Sequence, residues 1–313
     1  MADRPEPARA ARTAVLGPNQ YGKAETRVLK VTRDGAVHHV RDLNVSVALS
    51  GDMDEAHYSG SNAHVLPTDT AKNTVYAFAR EHGIDSPEAF AVRLARHFTD
   101  SREAIRRARV RVEEYAWERI DVSSPARHSF ARRGRETRVA QVTRDGEGFE
   151  VLGGLTDLVV MNTTDSEFRG YAKDAYTTLQ EDGDRILATE VSARWRYGWT
   201  GAAGAEPPAW DASYEQAVRH LLTAFADTYS HSLQQTLYAM GARVVEHRPE
   251  IEEIRFSLPN KHHFRVDLES FGLTNDAADG AVYFAADRPY GLIEATVLRP
   301  GADARIPDDT TTR

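Results

Sequence analysis

The order of the predicted strands and helices is the feature that most constrains the fold of this chain. The pattern is strand–strand–helix–helix–strand–strand, and it occurs twice. The tetrapeptide Thr-Arg-Asp-Gly also occurs twice, at Thr32–Gly35 and Thr143–Gly146, and Asp-Gly favours the tight turn of a β-hairpin. Strands joined by hairpins are antiparallel, and paired helices can then cover one face of the sheet. The sequence therefore predicts an α+β fold of two tandem domains, each an antiparallel sheet with helices layered on one face.

Turn residues and hydrophobic periodicity predict the limits of the segments. The predicted strands span residues 26–33, 37–49, 105–120, 137–143, 149–163, 184–197, 251–258, 264–268, 282–285 and 292–298. The predicted helices begin at Thr68, at Pro87 with Ser86 as N-cap, at Asp211 and at Leu233. We expect a disordered arm at 1–14, domains at 15–136 and 137–299, and a polar tail at 300–313. Because sheet edges can pair between copies, we also expect a closed homo-oligomer.

Composition bounds the functions that the chain can have. The formal net charge of −8 over 313 residues argues against nucleic acid as the main partner. The chain has no cysteine, which excludes disulfides, thiolate nucleophiles and Cys-ligated metals and fits a reducing compartment. The sequence shows neither a signal peptide nor an apolar run of membrane-spanning length. We therefore expect a cytoplasmic protein with no membrane partner.

A loop that leads into a helix, at residues 64–80, has two interpretations. In the first, Thr68, Asp69 or Thr70 accepts the free amide hydrogens of the helix as its N-cap. In the second, a hydroxyl and a carboxylate stand at a helix N-terminus, where the partial positive charge favours an anion. Taken alone, the stretch favours the cap, because polar residues at such positions mark functional sites only in a minority of cases.

Four other side chains could bind a flat anion or move a proton, although each also has an ordinary structural interpretation. Lys23 is either an exposed lysine or a proton carrier with a lowered pKa. Phe168 is either a loop anchor or a stacking face. Arg185 is either half of an ion pair or a planar fork for a planar anion. Gln234 is either a polar helix start or an amide that pairs with the edge of a heterocycle.

Pro259 interrupts a strand, so Asn260 and His262 are expected to project from a bulge or turn. His262-His263 could suggest a metal site, but neighbouring residues of an extended chain point to opposite faces. No accompanying His-Glu-x-x-His motif or carboxylate triad occurs. His262 is better interpreted as a proton carrier near neutral pH, and no metal is expected.

Together these stretches resemble the urate oxidase (uricase) family, in its bacterial type. The segments that carry the resemblance are Tyr21-Gly22-Lys23, Thr68-Asp69-Thr70-Ala71-Lys72-Asn73-Thr74, Ser166-Glu167-Phe168, Tyr176-Thr177-Thr178-Leu179, Asp184-Arg185-Ile186, Gln234-Gln235-Thr236-Leu237-Tyr238, Ser257-Leu258-Pro259-Asn260-Lys261-His262 and Pro289-Tyr290-Gly291. They run in family order from about residue 17 to 299. One departure from the family pattern is a run rich in arginine at residues 105–112.

The resemblance implies two tandem tunnelling-fold (T-fold) domains per chain and a homotetramer around a central tunnel, with active sites at subunit interfaces. It also implies the oxidation of urate by O₂ and water to 5-hydroxyisourate and hydrogen peroxide, without cofactor or metal. This reaction belongs to purine degradation. Lys23 and Thr68 match the catalytic dyad of the family, and His262 matches its proton-relay histidine.

The resemblance also assigns the substrate-binding positions. Arg185 and Gln234 match the clamp on the purine edge, and Phe168 matches the stacking ring. Asn260 matches the residue beside the dioxygen and water position. Leu233 and Asp69 match positions whose backbone amides contact the ligand. Asp69, Thr68 and Lys23 would come from the neighbouring subunit.

Two other functions fit the same fold. The first is a binding module that holds purines or pterins without oxidising them, for which the set Lys23, Thr68 and His262 would be unnecessary. The second is a His-dependent metal hydrolase, which metal analysis would reveal.

Overall fold

The computed structural model describes residues 13–35, 37–120, 128–132, 134, 136–276, 280–286 and 288–307. The strands are β1 (Tyr21–Asp34), β2 (Val37–Gly51), β3 (Ile105–Tyr115), β4 (Trp117–Arg119), β5 (Phe130–Arg132), β6 (Thr137–Asp145), β7 (Gly148–Asn162), β8 (Leu187–Tyr197), β9 (Ile251–Pro259), β10 (His262–Arg265), β11 (Tyr283–Ala286) and β12 (Leu292–Leu298). The helices are α1 (Asp54–Tyr58), α2 (Thr68–Glu81), α3 (Pro87–Asp100), α4 (Trp210–Asp227) and α5 (Leu233–His247). A short 3₁₀ turn spans Glu269–Phe271.

Eight strands form one sheet in the order β1-β2-β3-β6-β7-β8-β9-β12. Every neighbouring pair in it is antiparallel. The predicted α+β class is confirmed, and so is the repeated pattern, because β1-β2-α2-α3-β3-β6 is followed by β7-β8-α4-α5-β9-β12. The prediction of two separate sheets is wrong. The register from Arg107↔Asp145 to Glu114↔Arg138 joins β3 to β6, and this pairing removes two exposed sheet edges.

The core lies between one face of this sheet and the four longer helices. Alternate residues of β2 are buried towards the helices (Leu43, Val45, Val47 and Leu49), as the period of two in a half-buried strand requires. On α3, Phe90, Leu94 and Phe98 are fully buried at helical spacing. The opposite face of the sheet is polar. It lines a groove of about 930 Å³ that reaches from the start of β1 to the start of β12.

Some predicted boundaries differ from the structure. The run predicted as one strand at 105–120 divides after Tyr115, and β4 pairs with β5 in a separate two-stranded sheet. The strand predicted from residue 184 begins at Leu187, because the Arg185 amide donates to the Ser166 carbonyl at 2.8 Å rather than to a neighbouring strand. Helix α1 lies within the loop predicted at 50–62. The Ser86 cap on α3 is confirmed, since its hydroxyl accepts from the Ala89 amide at 3.1 Å.

A cluster of charged side chains connects the two halves of the fold. The Arg138 guanidinium on β6 donates to Glu88 of α3 at 2.6 Å and to Asp211 of α4 at 2.7 Å. Arg41 donates to Asp211 at 2.8 Å and pairs with Glu114. Glu88 is fully buried and the Arg138 side chain is 8% exposed. We call Arg41, Glu88, Glu114, Arg138 and Asp211 the junction cluster. Burial alone would lower the pKa of Arg138, but the surrounding carboxylates outweigh it and raise that pKa, so the arginine stays charged.

The predicted arm and tail lie partly outside the described residues, which begin at residue 13 and end at 307. The described part of the tail docks on the fold. The amides of Arg305 and Ile306 donate to the Glu253 carboxylate at 3.0 Å, and the Ile306 side chain is buried. Among the described residues, no helix has both the length and the apolar character needed to cross a membrane.

Candidate active site

Lys23, Thr68 and Asp69 form one group of candidate residues, near the edge of the sheet. Helix α2 packs against β1, and the amide of Leu66 donates to the Tyr21 hydroxyl at 2.9 Å. This bond fixes the loop before Thr68 to the strand that carries Lys23. The pKa of Asp69 is lowered mainly by Lys72, whose ammonium donates to it at 2.5 Å, and to a smaller extent by the charge of Lys23.

The predicted N-cap role of Thr68, Asp69 or Thr70 is wrong. The N-cap position is Pro67, and no side chain of the described residues caps α2. Thr68 is the first helical residue, and within the described chain its hydroxyl makes no hydrogen bond. The Asp69 carboxylate bonds instead to Lys72 and to Asn73 at 3.0 Å. The first amides of α2 and the Thr68 hydroxyl are therefore available to a ligand.

Phe168 and Arg185 meet in a second group, which begins about 100 residues after Asp69 in the chain. The guanidinium of Arg185 lies over the Phe168 ring at 5.3 Å from its centroid. The Tyr171 ring stacks on the Phe168 ring, with the two ring centroids 5.0 Å apart. The backbone of Phe168 is paired with Asp182, whose carbonyl accepts from the Phe168 amide at 2.8 Å. The ring and the guanidinium therefore have fixed relative positions.

Arg185 is an unusual arginine because it carries its charge without a bonded carboxylate. Among the described residues it forms no ion pair, and its buried Nε has no hydrogen-bond partner. Burial lowers its pKa, and the charge of Asp182 only partly opposes this effect. The interpretation of Arg185 as half of a surface ion pair is thus wrong for the described chain. A desolvated guanidinium with unused donors is suited to bind a planar anion.

Leu233 and Gln234 open α5 beside this pair. The N-cap is Ser232, whose hydroxyl accepts from the Gln235 amide at 3.2 Å. The Leu233 side chain is buried and the Gln234 side chain is exposed. The amide of Leu233 belongs to the first turn of the helix, where amide hydrogens have no helical acceptor. It can therefore donate to a ligand while Gln234 reaches outward.

Two chain segments are bonded to each other so that Phe168 and Gln234 stay close. The Glu167 amide donates to the Ser230 carbonyl at 2.8 Å. The Glu167 carboxylate bonds to the His231 ring at 2.7 Å and accepts from the Tyr229 hydroxyl at 3.1 Å. The hydrogen bond from His231 is the main cause of the lowered pKa of Glu167. Sequence reasoning missed Glu167 and His231 as supports, although Glu167 lies within the segment Ser166-Glu167-Phe168 and His231 lies two residues before Leu233.

Strand β9 ends at Pro259, as predicted. The expected bulge or turn is wrong for the two residues that follow, because Asn260 forms a β-bridge with Thr189 and His262 lies in a strand. The amide of Asn260 donates to the Gly291 carbonyl at 2.8 Å, and the Thr189 hydroxyl donates to the Pro259 carbonyl at 2.9 Å. His262 opens β10 and pairs with Ala286. Its pKa is lowered by burial first and then by the positive charge of Arg185. His262 therefore belongs electrostatically to the second group, and a neutral imidazole is favoured there.

The structure does not bring the two groups together along the sheet. Lys23 lies on β1 and Asn260 follows β9, with β2, β3, β6, β7 and β8 between those strands. Six spacings of about 4.8 Å give roughly 29 Å along the curved sheet. Each group therefore contains only some of the site residues that the sequence predicts. Among the described residues, no cluster of three or more His, Asp or Glu side chains has the arrangement of a metal site.

These features define a class of protein. It has an antiparallel α+β fold, and its desolvated arginine, aromatic ring and amide-bearing helix start suit a flat heterocyclic anion. The uricase family model matches residues 19–143 and 151–294. A uricase from Arthrobacter globiformis is 50% identical over 94% of this chain and 93% of its own length. A uricase from Aspergillus flavus is 35% identical over 92% of this chain and 98% of its own length.

Solved structures agree with these sequence matches. The crystal structure of the Arthrobacter globiformis uricase superposes with a TM-score of 0.87 at 49% identity, covering 95% of this chain and 99% of that one. The chain therefore belongs to the uricase family.

Proposed function

We propose that this chain oxidises urate with O₂ and water to 5-hydroxyisourate and hydrogen peroxide, using no metal or organic cofactor. Membership of the uricase family supports the reaction. The structural observation that carries the proposal is Arg185, a partly buried guanidinium without a carboxylate partner in the described chain, held over the Phe168 ring. Urate is a flat anion, and neighbouring oxygen and nitrogen atoms on its edge can accept the two parallel hydrogen bonds of such a guanidinium.

The second group would bind urate and set its plane. Phe168 would stack on the heterocycle, Arg185 would neutralise its charge, and the Gln234 amide would pair a donor and an acceptor with its edge. The Leu233 amide would donate one further bond. Asn260 would hold dioxygen and then water above the ring. Binding and electrostatics would thus supply most of the rate.

Proton transfer would use Thr68, Lys23 and His262. The Thr68 hydroxyl, made more basic through Lys23 and His262, would take a proton from urate. The resulting dianion gives two electrons to O₂, which becomes peroxide. The oxygen of a water molecule then bonds to the oxidised ring and one proton of the water goes to the peroxide, which receives its second proton from the Thr68 relay that took it from urate. Hydrogen peroxide leaves with 5-hydroxyisourate, and the atoms balance without any further oxidant.

Completion of the site would require a second copy of the chain. A path of roughly 29 Å along the sheet separates the two groups in one copy, which is far longer than a purine. Strands β1 and β12 are the edges of the sheet, and edges of this kind are usually paired or covered. We infer a homotetramer around a tunnel lined by the polar face, in which Lys23, Thr68 and Asp69 of one copy meet Arg185 and His262 of the next.

Two tandem T-fold domains would account for the internal repeat. The repeated order of elements supports a junction at the hairpin between β6 and β7. The family model is also interrupted there, between residues 143 and 151. This position lies a few residues beyond the boundary at 136/137 that the sequence suggests.

The direct test is incubation of the pure protein with urate in chelator-treated buffer. We expect loss of the urate absorbance together with release of peroxide, at a rate that added metals leave unchanged. Binding of urate without peroxide would support the alternative of a purine-binding module. Activity that is lost on exhaustive chelation and restored by a metal would contradict the mechanism.

The pH dependence of the reaction should report on His262. Because the pKa of His262 is lowered, its neutral form persists to a pH below the ordinary value of 6.5. We expect the acid limb of kcat/KM to lie below that pH and to be absent in His262→Asn. The control is His263→Asn, which should keep the limb. An acid limb that is unchanged in His262→Asn would remove this residue from the relay.

A further inference from the structure

The loop that carries Phe168 places a second aromatic ring against the first. The chain bends at Gly170, whose φ of +66° is a conformation that glycine adopts without strain. Tyr171 then lies against Phe168, with the two ring planes 11° from parallel and the centroids 5.0 Å apart. This is an offset stack, a favourable arrangement of two aromatic rings. Because a flat ring has two faces and Tyr171 lies against one of them, a heterocycle can stack on Phe168 only from the other face.

The plane of the Tyr171 ring is itself fixed by the opposite arm of the loop. The phenol hydroxyl donates to the Leu179 carbonyl at 2.5 Å. The Lys173 ammonium lies 5.3 Å from the centroid of the Tyr171 ring and pairs with Glu181 at 3.1 Å. Both members of this ion pair are exposed, so the pair itself contributes little. The hydroxyl bond to Leu179 is therefore the stronger constraint on Tyr171.

The backbone of Phe168 does not determine the plane of its ring. Its amide and carbonyl exchange hydrogen bonds with Asp182 at 2.8 and 3.3 Å, which fixes the main chain. The χ2 torsion of a phenylalanine has a broad minimum, and the Phe168 side chain is only partly buried. Its neighbours include the Tyr171 ring and the Arg185 guanidinium. Since Arg185 is proposed to bind the edge of the ligand, Tyr171 is the neighbour that can hold the Phe168 ring before the ligand arrives.

We propose that Tyr171 is a positioning residue of the urate site, which supports one face of the Phe168 ring and sets the plane on which urate stacks. This inference rests on the proposed function, because it assigns urate to the other face of Phe168. In this arrangement Tyr171 does not touch urate, since the Phe168 ring lies between them. Ordering the ring in advance lowers the entropic cost of binding and so raises affinity without a new contact. The gain is the same for bound urate and for the transition state, so it belongs to KM rather than to kcat.

The test compares Tyr171→Ala with the wild type in steady-state urate oxidation. From the contribution of one aromatic pair, we expect KM to rise by about three- to tenfold. We expect kcat to stay within a factor of about two. Tyr171→Phe keeps the stacked ring without the bond to Leu179, and it should return KM to within about twofold of the wild type. A merely structural role would instead lower the amount of folded protein, which reduces the apparent kcat and leaves KM unchanged.

Two further variants keep the test decisive. Tyr176→Ala is the matched control, because its side chain lies in the same loop and is 90% exposed, and it should keep both constants. Tyr171→Leu fills much of the space without providing a flat face. It should raise KM even if Tyr171→Ala folds poorly.

Titration of the folded proteins with urate in the absence of O₂ separates this proposal from the proposed reaction. It measures affinity without turnover, and the dissociation constant should rise in Tyr171→Ala by the same factor as KM. A wild type that binds urate but does not oxidise it in air would contradict the proposed reaction, while the dissociation constants would still decide the role of Tyr171. An unchanged dissociation constant in Tyr171→Ala, a fall in kcat alone, or a wild type that binds no urate would overturn the proposal.

Discussion

Replacing Arg185 with glutamine is expected to lower kcat/KM for urate by about a hundredfold or more. The change removes a charge-assisted fork worth roughly 3 kcal/mol, and each 1.4 kcal/mol corresponds to a factor of ten. Most of the loss should appear in kcat, because the negative charge of urate grows when it loses its proton. Steady-state assays that follow the urate absorbance give both constants.

Matched variants show whether this effect comes from the fork. Arg169→Gln changes an exposed arginine of the same loop and should leave kcat/KM within a factor of about two. Arg185→Lys keeps a positive charge without the planar fork and should fall between the wild type and Arg185→Gln. The midpoint of thermal unfolding should change little in Arg185→Gln, because Arg185 forms no ion pair with a described residue. Wild-type kcat/KM in Arg185→Gln would rule out this arginine as the anion clamp.

Replacing Arg138 with methionine is expected to cost about 3–5 kcal/mol of unfolding free energy. The methionine fills much of the space, but Glu88 would then be a fully buried carboxylate without its counter-charge. Arg138 also connects β6 to α3 and α4, so its loss weakens the contact between the two halves. Urea unfolding, followed at fixed protein concentration, measures the change.

The control for this prediction is an arginine whose ion pair is exposed. Arg93→Met removes the pair with Asp85 at 3.3 Å and should cost less than about 1 kcal/mol. The double variant Arg138→Met with Glu88→Gln should recover part of the lost stability, since it removes the unpaired charge as well. If Arg138→Met cost no more than Arg93→Met, the junction cluster would not be a source of stability.

Hydrophobic periodicity predicted most of the architecture because it reflects local burial. The alternation in Leu43, Val45, Val47 and Leu49 follows from a strand with one covered face. Hairpins at Asp-Gly and the cap at Ser86 also depend on a few neighbouring residues. The joining of both halves into one sheet could not be predicted this way. It depends on β3 and β6, whose pairing is a choice between distant edges.

The candidate site shows the same limit. Motifs identified Thr68 correctly as a helix start, but local chemistry favoured a cap that does not form, because Pro67 occupies the N-cap position. The hydrogen bond between Glu167 and His231 joins two segments that are more than sixty residues apart in sequence. Nor could the sequence show that Arg185 lacks a carboxylate partner among the described residues, since this depends on which side chains the fold places beside it.

The most direct test of a site shared between two copies is complementation between inactive variants. Lys23→Ala and Arg185→Ala disable opposite groups, and each should be inactive alone. After both are unfolded, mixed in equal amounts and refolded, random pairing gives an intact site in about one quarter of cases. We therefore expect the mixed oligomers to recover up to about a quarter of wild-type urate oxidation. No recovery in oligomers verified to contain both variants would contradict a site built from two subunits.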